Sequence, residues 1–149
     1  MKKKNIIHIS HTDISRDSRI LKEIKSLKNS FSNYKIFSLG IRSAKKQQIN
    51  KRNIIKDSIN FNLISKKIFF LPNILKKIII YFEFFLRTVN FAIKNKPSLV
   101  HCHDFFALPI GFFIKFLFKC KLVYDAHELE CLDEINQLYF NQKSKVTFF

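Results

Sequence analysis

Short apolar runs alternate with helical stretches along this chain, and that alternation restricts the fold more than any other feature. A β-branched run at residues 5–11 opens the series. A helix over 18–29 follows: Leu21, Ile24, Leu27 and Phe31 recur at the spacing of one helical face, with Asp17 or Ser15 as the cap. Residues 34–39 read as a second strand stopped by Gly40, and 59–64, alternating apolar and polar, as a short third one. Pro72-Asn73 introduces a long helix over 74–94. Residues 99–104 form a buried strand ending in polar groups, 105–119 an apolar helix interrupted at Pro109-Ile110-Gly111, 121–125 another strand and 129–139 a last helix. This order predicts an α/β fold, a parallel sheet with helices on both faces. In such sheets ligands bind beyond the carboxyl ends of the strands.

With 149 residues the chain is of single-domain size, and a domain of that length buries roughly two-thirds of its unfolded surface without a disulfide or metal staple. Apolar residues at 47% and charged residues at 26% are a globular balance that excludes disorder of the whole chain. Only Gly40 and Gly111 are glycines, which excludes a P-loop and a GxGxxG dinucleotide fingerprint. Cys102, Cys120 and Cys131, an odd number at irregular spacing, form no disulfide framework and fit a reducing cytosol. His101, Cys102, His103, Cys120, His127 and Cys131 are potential metal ligands, but no CxxC or HExxH spacing is present and no metal site is expected. Residues 6–11 are too short and polar for a signal-peptide core. No stretch of 18 uncharged apolar residues exists to cross a membrane.

The formal net charge is +16, and it is unevenly spread. Residues 1–96 hold 22 basic and 5 acidic groups, whereas 97–149 hold 5 and 6. Such a field attracts nucleic acid, anionic lipid or phosphorylated substrates. The abundance of Lys, Asn, Ile and Phe also fits an AT-rich coding bias, under which much of this charge is solvated surface. Residues 41–58 read as an exposed basic loop, with six Lys or Arg before the first acid, Asp57. In the helix over 74–94, Lys76, Glu83, Arg87, Asn90 and Lys94 form one narrow polar stripe, and the remaining surface is apolar. A helix of that kind is covered on more than one side, or keeps a face for a membrane or a partner domain; the first reading is the simpler.

Three segments at strand ends carry His and acid where a buried sheet prefers apolar residues: 11–19, 101–104 and 125–128. Asp17-Ser18-Arg19-Ile20-Leu21, Pro97-Ser98-Leu99-Val100-His101-Cys102-His103-Asp104 and Leu122-Val123-Tyr124-Asp125-Ala126-His127-Glu128 resemble, in order, three motifs of the N-terminal domain of family 4 glycosyltransferases, which have the GT-B fold. The resemblance runs over nearly the whole chain except 41–75. It departs at the glycine-free loop 11–16, and no two Glu residues lie eight apart as in that family's donor site. It implies a Rossmann-like domain over 1–149 that holds the acceptor, the N-terminal half of a retaining glycosyltransferase in polysaccharide or glycolipid synthesis. The chain itself then carries no cofactor. The nucleotide-sugar donor belongs to a missing C-terminal domain or a separate subunit, and the chain alone is inactive. The basic first two-thirds fits a cytoplasmic enzyme peripheral on the inner face of the plasma membrane, where each Lys or Arg near anionic lipid adds on the order of 1 kcal/mol, with loop 41–56 and an uncovered face of the helix over 74–94 as the expected contact.

Under that resemblance His127 is the foremost catalytic candidate, flanked by Asp125 and Glu128 and able to bond a sugar hydroxyl or a phosphate; it can equally cap the following helix. Arg19, His103, Asp104, Asp125, Glu128 and Asp13 are the acceptor-binding candidates. Asp104 can instead cap the helix after it, Arg19 can pair structurally with Asp125 or Glu128, and His101 reads as interior. The rival from another class is a small basic α/β module binding nucleic acid or an anionic membrane without catalysis. No helix-turn-helix or RNP motif supports the nucleic-acid form.

Overall fold

A computed structural model describes residues 4–31, 33–42, 57–67 and 72–125. Its elements are β1 (Lys4–Ile9), α1 (Ser18–Ser30), β2 (Tyr34–Ile41), β3 (Ser58–Phe61), α2 (Asn73–Asn95), β4 (Leu99–Cys102), α3 (Leu108–Phe118) and β5 (Lys121–Tyr124). Short 3-10 turns lie at Ile14–Arg16 and Ile64–Lys67. The five strands form one sheet in the order β3-β2-β1-β4-β5, and every pair is parallel. This is the Rossmann-like α/β arrangement that the alternation predicts.

Strand residues point alternately to the two faces. Ile6 and Ile36 meet Ile14, Ile20 and Ile24 on the α1 side. Ile7, Ile9, Phe37, Leu39, Val100 and Cys102 meet Phe84, Val89, Ala92, Ile110 and Ile114 of α2 and α3 on the other. Asp17 starts α1 by accepting from the backbone N–H groups of Arg19 and Ile20 at 3.0 and 3.3 Å. Of the expected row, Ile24 is buried and Leu21 and Leu27 pack half-buried against the same cluster, joined by Ile20, whereas Phe31 lies past the end of the helix and is exposed.

Several boundaries differ from expectation. β2 runs through Gly40 to Ile41 because the glycine serves a close approach, not a turn: a Cβ there would lie 2.5 Å from the Thr12 carbonyl oxygen. The segment after β4 first makes a turn, in which Asp104 accepts from the Ala107 N–H at 2.7 Å, so α3 begins at Leu108 with Pro109 in its first turn. Gly111 lies inside α3, where a Cβ would overlap Cys102 Sγ. The simpler reading of α2 is not what the described residues show. Only Phe84, Thr88, Val89 and Ala92 are buried, while Ile74, Leu75, Ile78, Phe82 and Leu86 stay exposed. Most of the basic loop 41–58 and the helix expected at 129–139 lie outside the described residues.

Candidate functional site

The strand order reverses between β1 and β4, and the polypeptide leaving the two strands separates there. The chain leaving β1 is pinned at once: the Ser10 N–H donates to Leu39 O at 3.0 Å, and the Ser10 and Thr12 hydroxyls are 2.7 Å apart. The next residue reaches across to β4. The His11 N–H donates to Asp104 Oδ2 at 2.8 Å, and its Nδ1 lies 3.1 Å from the same oxygen. Partial burial would push the Asp104 carboxyl up, but the bonds from the His11 ring and backbone outweigh it and hold the group below the ordinary carboxylate range. Asp104 therefore joins both strand ends and also caps its own turn, so its structural and functional readings coexist.

Beside this pair the loop 12–19 borders an open hollow of about 490 Å³, lined by Thr12, Asp13, Arg16, Asp17, Ser18 and Arg19. Asp13 is the anchor of that loop. Its Oδ1 accepts from the Ser15 N–H at 3.2 Å and from Asn60 Nδ2 at 2.7 Å, which ties the loop to β3. Arg19 is more than half exposed and lies 3.5 Å from Asp17 Oδ2, so its described ion pair is with its own helix cap. Asp125 follows β5 at the same rim, its N–H donating to Cys102 O at 2.9 Å. His127 and Glu128 lie outside the described residues.

His103 belongs to a second, deeper group. Its N–H donates to Ile9 O at 3.0 Å, and its ring turns to the α1 face of the sheet. His8 and His101 are register partners on that face. The three rings have centroids 4.2–5.1 Å apart. His8 Nδ1 and His103 Nε2 are 2.8 Å apart, and Glu23 from α1 brings Oε1 to 3.0 Å from His101 Nδ1. Burial first, and then the neighbouring His101 and His103, lower the pKa of His8 well below its ordinary value, so it is neutral at pH 7.

Of the expected residues, Asp104 and Asp125 thus reach the switch-point rim, Asp13 and Arg19 line the hollow, and His103 lies underneath. Sequence spacing overlooked His8 and Glu23, and it marked the segment that begins at His11 without choosing His11 as a site residue. His8 and His101 are 93 positions apart and meet only because β1 and β4 pair in parallel. Cys102 offers no nucleophile: burial pushes its thiol up to about 12, with the Asp104 charge adding to the effect. No protein-family model, no curated protein and no solved structure matches the chain.

Proposed function

We infer that this chain is the acceptor-binding half of a retaining glycosyltransferase, which transfers sugar from a nucleotide-sugar to a polysaccharide or lipid-linked acceptor. The observation that carries the reading is the His11–Asp104 pair at the β1/β4 switch point, beside a hollow that presents Arg16 and Arg19. The His11 imidazole, 3.1 Å from Asp104 Oδ2, is a group able to exchange a hydrogen bond or a proton with an acceptor hydroxyl. The two guanidinium groups suit a phosphorylated acceptor. The donor would be held by a second domain, on the same polypeptide or on another. Among the described residues no observation favours the nucleic-acid form of the small-binding-module rival.

Peripheral contact with an anionic membrane belongs to the same reading. No described helix is long and apolar enough to cross a membrane. Ile74, Leu75, Ile78 and Phe82 are nevertheless exposed beside Lys77 on α2, and the Phe82–Phe85–Phe113 ring contacts continue the apolar surface onto α3. Apolar area with basic neighbours is the surface an interfacial protein presents.

The test is a pair of titrations: a polyprenyl-diphosphate glycolipid in detergent micelles, and a nucleoside-diphosphate sugar. Glycolipid binding is expected to weaken about tenfold in Arg19→Ala and in His11→Ala, which corresponds to about 1.4 kcal/mol each. The nucleotide-sugar is expected not to bind this chain. The opposite pattern, or binding confined to single-stranded nucleic acid, refutes the assignment.

A further inference from the structure

The α1 face of a buried sheet is normally aliphatic, and here Ile6, Ile20, Ile24 and Ile36 follow that rule. Three imidazoles interrupt it. His8, His101 and His103 are all buried, and Glu23 descends onto them from α1 with a third of its side chain still exposed. One ligating atom from each of the four residues lies within 4.8 Å of the others. A tetrahedral cation with metal–nitrogen bonds of about 2.0–2.1 Å holds its ligand atoms about 3.4 Å apart, so shifts of under about an ångström for each side chain convert one arrangement into the other. The His8 ring is fully buried, and its Nε2 has no hydrogen-bond partner among the described residues. The described protein groups therefore leave one buried imidazole nitrogen of this cluster unsatisfied, and a bound ion is one of the partners that accounts for such a group.

We propose that His8, His101, His103 and Glu23 form a binding site for a divalent first-row transition cation, of which Zn²⁺ is the best fit. Three imidazole nitrogens and one carboxylate oxygen are a borderline donor set, unsuited to Mg²⁺ or Ca²⁺, which favour oxygen. Four protein ligands fill a tetrahedral shell, so the ion has a structural task. It joins β1, β4 and α1 one layer beneath the switch point. His103 is bonded to Asp104 along the chain, and His8 lies three residues before His11. The ion thereby fixes the base on which the His11–Asp104 pair stands. The partly exposed Glu23 marks the access route. The site rests on this donor set alone and holds whether or not the protein handles sugars.

Full-length protein stripped with chelator is titrated with Co²⁺ and, separately, with Zn²⁺. The expected results are one equivalent of Co²⁺ with tetrahedral d–d absorption and no thiolate charge-transfer band, and a Tm increase on the order of 5 °C in excess Zn²⁺. Glu23→Gln keeps the shape of a partly exposed helix residue and is expected to weaken binding at least about tenfold. His11→Ala, outside the cluster, is expected to retain the full equivalent. X-ray absorption of the Zn²⁺-loaded wild type reads the donor set without any variant, and three imidazoles with one oxygen are expected. The proposal is overturned by the absence of stoichiometric binding, by thiolate ligation, or by binding that survives Glu23→Gln and is lost in His11→Ala.

Discussion

Gly111 shows how much one missing methyl decides. Alanine is the better helix former by about 1 kcal/mol, so propensity alone favours Gly111→Ala inside α3. Packing reverses the sign, because the new Cβ would overlap Cys102 Sγ and come within 2.8 Å of Leu122 Cδ1. We expect Gly111→Ala to destabilise the fold by about 1–3 kcal/mol in urea unfolding; a neutral or stabilising effect would show that β4 and α3 can separate freely. Glu83 makes a second residue-scale case. Its partial burial raises the carboxyl, but the Ser65 hydroxyl, the N–H groups of Ser65 and Ile64, and Arg87 outweigh this and hold it at about 2. A depressed folded-state value contributes stability above the unfolded value of 4.5 and loses it as pH falls through about 2. Glu83→Gln is therefore expected to cost about 1–2 kcal/mol at pH 7, and the gap from wild type should close as unfolding is measured at successively lower pH. A gap of constant size would remove the charge from the explanation.

At the scale of elements, two helices end on lysines in the left-handed region: Lys96 at φ 43° and Lys119 at φ 51°. Helices commonly end on glycine there because a Cβ is strained in that conformation. Neither glycine of this chain is used for it. Replacement by glycine at either position is expected to stabilise by about 0.5–1 kcal/mol, read as a Tm increase. The long helix α2 divides along its length. Phe84 is fully buried, and Phe84→Ala is expected to cost about 3–5 kcal/mol. Phe82 is 59% exposed two residues earlier, and Phe82→Ser should leave stability within about 0.5 kcal/mol while reducing association with lipid.

Over the whole molecule, the proposed membrane contact rests on the charge and the apolar patch together. The +16 excess supplies long-range attraction to an anionic surface, and the α2–α3 face supplies the apolar area that water would rather not cover. Sedimentation with anionic vesicles should be strong in dilute buffer and fall steeply by molar salt, where the Debye length shrinks to about 3 Å. Neutral vesicles should bind weakly at every salt concentration. Equal binding to both vesicle types would leave the basic excess as ordinary solvated surface.

The alternation of short β-branched runs with helical stretches was enough to read the parallel α/β class, because strand and helix periods differ and each leaves its own mark locally. The strand-end position of Asp104 and the cap at Asp17 were legible for the same reason. The roles of both glycines were not: a close approach depends on which atoms other elements bring against the backbone, as the loop after β1 brings Thr12 to Gly40 and β4 brings Cys102 to Gly111. Nor was the imidazole cluster. His8 looked like one polar residue in a strand and Glu23 like one charge on a helix, and nothing local distinguishes either from surface chemistry. Only the parallel register of β1 with β4 and the position of α1 above them put these four side chains in one place, since contacts between distant segments are set by topology and not by neighbouring residues.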